Sequence, residues 1–275
     1  MNFPTTSSRR MLIFFTAFVS SVGLANAVPI LYGVTDSGQF GTLNLNTNSF
    51  SLISTLGFVP YGLVPAPNGF FTLTSTGEFA SISYAGVASN IGDTGLGLLS
   101  NDTAEIGSTV YVIDTNDNLY TVNAASGALT LVGSTGITPV SAANVASGDY
   151  DDTFQGANGN LYYSQDQGGG PATLYHINTS TGAATPVGST LSGLEAAISL
   201  GGTDYVFQTN GSSPTFSEEY TLNLGTGATS GGTTITGGTA LYGVVAAAPE
   251  PASFALAGIG IAVCAFRSLR RRDAR

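Results

Sequence analysis

The chain has 275 residues, and its 7 basic residues against 17 acidic ones leave a net charge of -10. All seven (Arg9, Arg10, Arg267, Arg270, Arg271, Arg272 and Arg275) stand at the two ends, so the stretch from Met11 to Phe266 holds no Lys or Arg. Nucleic-acid binding needs cations that displace counterions from phosphates, and that class is excluded for the body.

Residues 1–27 read as a secretory signal peptide. Arg9 and Arg10 form a basic start, Met11 to Val19 an apolar run, and Ala25-Asn26-Ala27 a small-residue cleavage site. Cleavage after Ala27 is expected, with Ala25 and Ala27 as the residues read there. The strongly apolar run favours the general secretion route over a twin-arginine one.

The body, residues 28–246, repeats itself about every 40 residues. An aromatic within a short apolar run recurs at Tyr32, Phe71, Tyr111, Tyr162, Tyr205 and Tyr242. Downstream, Tyr120-Thr-Val-Asn123, Tyr175-His-Ile-Asn178 and Tyr220-Thr-Leu-Asn223 align, each followed four residues later by Gly127, Gly182 or Gly227. Leu43-Asn-Leu-Asn46 is a weaker match, and Phe50 breaks the pattern there. An Asn that bonds the turn backbone, then a Gly at positive φ, closes a tight hairpin. The next strand follows, as in Leu129 to Gly133 and Ala184 to Gly188.

A further short strand is expected before each aromatic start: Tyr61–Val64, Leu96–Leu99, Asp152–Gln155 and Glu195–Ser199. The first unit lacks one, and Leu241 to Val245 can pair back to supply it. Four antiparallel strands per unit at this period predict an all-β fold, a β-propeller of five four-stranded blades whose terminal strand removes the open edges. Six blades, or a β-sandwich or solenoid, are the alternatives. The unit resembles blades of YVTN and quinoprotein-like propellers, a likeness of fold and not of activity.

Residues fit for chemistry are few. Cys264, the one cysteine, lies in the C-terminal apolar run, so the body has no disulfide and no thiol nucleophile. His176, the one histidine, alternates with Tyr175 and Ile177 and is expected to face solvent. A zinc site lacks ligands, and neither Gly-x-Ser-x-Gly nor a Walker lysine is present. Carboxylates remain. Glu218 and Glu219 are adjacent and point to opposite faces of a strand. Asp114, Asn116 and Asn118, and separately Asp149, Asp151 and Asp152, offer oxygens to Ca²⁺, although the glycine and distal glutamate of an EF-hand loop are missing. No other cofactor or metal is expected.

The last segment, residues 247–275, is a membrane signal. Residues 252–266 carry no charge and span about 22 Å as a helix, short of a bilayer core of about 30 Å unless snorkelling Arg267 extends it. The arginines that follow predict a cytoplasmic C-terminus. Pro249-Glu250-Pro251, a short apolar helix and a terminal arginine cluster resemble the PEP-CTERM sorting tail of Gram-negative bacteria. That resemblance implies recognition of Pro249, Glu250, Pro251, Arg267, Arg270, Arg271 and Arg272 by an exosortase. It further implies transient residence in the inner membrane, then transfer to the cell surface or extracellular matrix.

The expected function is that of an exported, non-enzymatic surface or exopolysaccharide-matrix protein with a structural, adhesive or polysaccharide-binding role. Its partners would be the secretion machinery, an exosortase and extracellular polysaccharide. The alternative is a secreted carbohydrate-active enzyme using Asp and Glu. Carboxylates that converge in the central channel would favour the enzyme; carboxylates scattered on outer loops would not. A quinone-linked redox enzyme is disfavoured, since no basic side chain of the body can hold an anionic cofactor.

Overall fold

The computed structural model describes residues 30–96, 103–138, 152–166, 170–209 and 217–247. The expected signal peptide with Ala25 and Ala27, the tail residues Pro249, Glu250, Pro251, Arg267, Arg270, Arg271 and Arg272, and Asp149 and Asp151 lie outside them.

The described residues form strands and no helix. In chain order these are β1 (Leu31–Thr35), β2 (Gln39–Asn44) and β3 (Ser49–Thr55); β4 (Pro60–Ala66), β5 (Gly69–Thr74), β6 (Glu78–Ser83) and β7 (Ala88–Asp93); β8 (Thr103–Ile106), β9 (Thr109–Ile113), β10 (Asn118–Val122) and β11 (Leu129–Ser134); β12 (Asp152–Gln155), β13 (Leu161–Gln165), β14 (Ala172–Ile177) and β15 (Ala184–Thr190); β16 (Leu194–Leu200), β17 (Thr203–Thr209), β18 (Ser217–Leu222) and β19 (Thr229–Thr234); and β20 (Leu241–Ala246). They make five antiparallel four-stranded sheets, each of consecutive strands except the first, whose order is β20-β1-β2-β3. The innermost strands β20, β4, β8, β12 and β16 neighbour one another in a closed cycle. The fold is a five-bladed β-propeller, and the last strand closes the first blade as the repeat predicts. Six blades, a sandwich and a solenoid are thereby excluded.

Each blade stands radially and buries both faces, so the apolar residues of one strand divide between two neighbours. In β13, Leu161 and Tyr163 enter the core shared with blade 3, whose other members include Ile113 and Leu119. Tyr162, pointing the opposite way, enters the core shared with blade 5, with Leu194 and Val206. Cores of this kind fill all five junctions. Among their aromatics Phe40, Phe70, Phe79 and Phe207 are completely buried, each contributing about 1.5–3 kcal/mol by removal of apolar area from water. Outer strands are far more exposed, as in Leu131 of β11 and Leu52 of β3.

The alternating strands give the ring two ends. At the entry end the inner strands begin and the second strands finish, as in the pairs Pro60↔Thr74 and Asp152↔Ser164. At the exit end the inner strands finish. Leu31 pairs with Ala246 there, and the Ala247 N–H donates to the Ile30 carbonyl at 2.9 Å, so the two ends of the body leave side by side.

The exit-end hairpins follow the Asn…Gly pattern. Asn123 Oδ1 accepts the Ala125 N–H, Asn178 Oδ1 that of Ser180, and Asn223 Oδ1 that of Gly225, each at 2.9 Å. The fourth residue on, Gly127, Gly182 or Gly227, has φ of 73°, 84° and 76°. The first blade corrects the sequence alignment by two residues. Its turn starts at Asn44, whose Oδ1 accepts the Asn46 N–H at 2.9 Å, and the left-handed position falls on Asn48, with φ 46°. Asn tolerates that conformation where most side chains do not, so Phe50 is a strand residue and not a defective glycine. A second correction concerns the inner strand of blade 3. It is Thr103–Ile106 and not Leu96–Leu99, of which residues 97–99 lie outside the described set.

Every blade also carries a bulge between its third and outermost strands, as at Leu119/Tyr120 and Leu174/Tyr175. In blades 2, 3 and 4 an outer-strand glycine, Gly92, Gly133 or Gly188, meets the exit-end turn of the following blade. A Cβ built on Gly182 would lie 2.6 Å from the Gly133 carbonyl oxygen, so the joint admits backbone only.

Candidate functional site at the entry end of the axis

The inner strands enclose an axial cavity of about 200 Å³. Thr103, Asp152 and Thr153 line it toward the entry end, and Glu105, Gln155 and Ser199 toward the exit end. Its narrowness is set by Tyr-Gly pairs in the inner strands. A Cβ on Gly243 would lie 2.7 Å from the Gly62 carbonyl carbon, so β20 and β4 approach backbone to backbone. The preceding tyrosines, Tyr61 and Tyr242, stack over that contact with centroids 5.6 Å apart and planes at 17°.

Glu195 is the central group of the entry end. A bulge between Leu194 and Ala196 interrupts the β16–β17 register, and such a bulge re-aims a side chain. Glu195 is only 5 % exposed. Burial raises its pKa well above the usual carboxylate range. The Thr209 hydroxyl opposes that rise, the charges of Asp36 and Asp152 add to it, and the Tyr242 hydroxyl opposes it again. The Thr209 hydroxyl faces the carboxyl without closing a bond of ordinary geometry, since Glu195 Oε1 and Thr209 Oγ1 are both buried and unpaired. Burying an unpaired polar atom costs about 1–3 kcal/mol. Asp36 from the β1–β2 turn and Asp152 from the head of β12 thus act on Glu195 of β16 by charge from two other blades.

A second acidic group lies in blade 3. Asp117, in the β10 turn with φ 58°, is buried. Desolvation lifts its pKa to about 6, the Tyr163 hydrogen bond lowers it, Asp114 raises it and Gln165 lowers it. Tyr163 Oη–H and Gln165 Nε2–H of blade 4 donate to Asp117 Oδ1 at 3.2 and 3.3 Å, so the turn is tied across the junction.

The calcium candidates divide. Asp114 Oδ1 accepts the backbone N–H groups of Asn116 and Asn118 at 3.0 and 2.8 Å, and its Oδ2 accepts the Tyr120 hydroxyl at 3.2 Å. These bonds shape the β9–β10 turn. Asp152 sits apart from it, at the axis. Among the described residues no group of three or more His, Cys, Asp or Glu side chains is arranged to hold a metal ion. Glu218 accepts the Tyr220 hydroxyl at 2.7 Å, and burial raises the pKa of Glu219. His176 is half-buried, with its ring packed on Tyr162 at 5.6 Å.

Sequence reasoning placed Glu195 at the head of an inner strand but gave it no role, and passed over Asp36. The available signal was a lone acid opening the otherwise uncharged run from Glu195 to Leu200. Nothing local pairs it with Asp36, which lies far away in the chain.

No family model matches this chain, and no curated protein matches it. Among solved structures, it is similar to a structural-genomics protein of unknown function from Bacteroides thetaiotaomicron VPI-5482, with a TM-score of 0.51 and 14 % identity. The match covers 73 % of this chain and 54 % of that one, so this chain accounts for about half the length of its neighbour. At that identity the likeness concerns the fold alone.

Proposed function

We propose that this chain is an exported, non-enzymatic surface protein, carried to the envelope by its leader and sorted through its C-terminal tail. The observation that carries the reading is the confinement of every Lys and Arg to the two segments flanking the ring. Basic residues there suit a leader and a stop-transfer cluster, while a purely anionic body stays soluble and repels anionic lipid. In the matrix its role is to hold neutral polysaccharide, whose hydroxyls match the carboxylate and threonine acceptors at the entry end of the axis. Intact mass of the protein from its host, measured by fraction with and without the exosortase, tests this. Loss of residues 1–27 and of the tail only when that enzyme is present is the expected result. An intact Arg275 on surface protein would sink it.

The charges of Asp36 and Asp152 that bear on the buried Glu195 favour a second reading, a carbohydrate-active enzyme with paired carboxylates. The two readings part on Glu195→Gln. A binder releases no reducing ends in either form, whatever the substitution does to its affinity. An enzyme releases reducing ends, and the substitution abolishes the release.

A further inference from the structure

The ring is electrically polar along its axis. Among the described residues the acidic side chains lie at the entry end, with the exceptions of Glu105 and Asp204. Asp36, Asp114 and Asp166 sit in or beside entry-end turns, Glu78 stands opposite Asp93 where β6 opens and β7 closes, and Glu218 is the second residue of β18. Of the two exceptions, Glu105 lines the axial cavity. Asp204 accepts the Ala157 N–H at 2.7 Å and the Ser199 hydroxyl. The exit-end turns at 44–48, 123–127, 178–182 and 223–227 consist of Asn, Leu, Ser, Thr, Ala and Gly, with no charge.

The exit end is also where the chain leaves. Ala247, bonded to Ile30, precedes the apolar run that starts at Ala252 by five residues. At 3.3–3.6 Å each these reach at most about 18 Å. A body so tethered stands close to the lipid headgroups. The longer strands, of six or seven residues, make the ring roughly 20 Å deep along its axis, more than two Debye lengths at physiological salt, where one is about 8 Å. Carboxylates at the entry end are therefore screened from an anionic bilayer when the exit end faces it. Inverted, they would stand within its repulsive field.

We infer that the uncharged exit face is the membrane-facing surface of the propeller. It is seated against the headgroups of an anionic bilayer while the tail is in place, with the entry face and its carboxylates turned outward. This rests on the reading of the tail as a membrane anchor.

The test uses the full chain, with Cys264→Ser, reconstituted into vesicles of phosphatidylglycerol and phosphatidylcholine. A fluorophore is placed by Ser180→Cys at the exit end or by Thr76→Cys at the entry end, both exposed positions, and spin-labelled headgroups act as quencher. Quenching several-fold stronger at position 180 than at 76 is expected, and Asn46→Asp combined with Asn178→Asp should narrow that ratio in anionic vesicles but not in purely zwitterionic ones. Co-sedimentation with equal quenching at both positions overturns the orientation alone. Failure to sediment with vesicles overturns the anchor reading and the orientation together.

Discussion

Tyr61 and Tyr242 stack across the junction where the last strand of the chain meets the first strand of blade 2, with centroids 5.6 Å apart. Their glycine neighbours, Gly62 and Gly243, bring β4 and β20 into backbone contact beneath them. Closure of the ring thus sets backbone against backbone beneath a stacked aromatic pair. An aromatic pair of this geometry contributes about 0.5–1.5 kcal/mol beyond its area. A double-mutant cycle of Tyr61→Leu and Tyr242→Leu, read by denaturant unfolding, should return a coupling in that range. A coupling indistinguishable from zero would mean that the seam is held by β20–β1 pairing alone.

The glycine joints between blades should respond differently from the asparagine that replaces one of them. Gly182→Ala meets the Gly133 carbonyl at 2.6 Å and forces a side chain into a left-handed turn, so a loss of at least about 1–2 kcal/mol is expected. Asn48→Gly keeps the left-handed conformation without strain and loses only the side-chain hydrogen bonds to Glu219 and the Leu45 carbonyl, so its loss should stay below that of Gly182→Ala. Equal effects at both positions, measured by thermal melting, would contradict the account of the first blade's turn.

Stability should fall as pH rises through the range near 6. Asp117 has a folded pKa of about 6 against an ordinary carboxylate value of 3.8. Its contribution is fully present below the unfolded pKa and is lost as pH rises through the folded one. Glu195 is shifted in the same direction, as are Glu105 and Glu219. The melting temperature should be higher near pH 5 than near pH 7, and Asp117→Asn should flatten part of that slope. A melting temperature that climbs over the same interval would refute the burial argument.

Packing at the junctions should dominate the energetics. Phe207 is fully buried in the core between blades 5 and 1, and Phe207→Ala should cost about 3–5 kcal/mol. Leu131, 59 % exposed on an outer strand, should tolerate Ala within about 0.5 kcal/mol. Chemical denaturation of the two variants gives the comparison.

Calcium should leave the blade 3 turn unchanged, because the Asp114 carboxylate is already engaged by two N–H groups and a phenol. Equal melting in calcium and in chelator for both the parent and Asp114→Asn is the expected result. A calcium-dependent rise abolished by the substitution would reverse this assignment.

The sequence by itself determined the blade. Alternation within short runs, Asn123 and Gly127 with their equivalents, and the echo of Tyr242 on Tyr32 are local patterns, and they suffice for five sheets closed by the last strand. Asn44 and Asn48 were misaligned because asparagine adopts the left-handed turn that the other units give to glycine, so the chemistry matched where the letters did not. The tertiary structure alone decided what faces what. Asp36, Asp152 and Glu195 are remote in the chain, and the first two bear on the third only because ring closure brings blades 1, 4 and 5 around one axis. The gathering of acids at one end follows from the same geometry, since a residue's distance along the axis depends on strand direction and not on its place in the sequence.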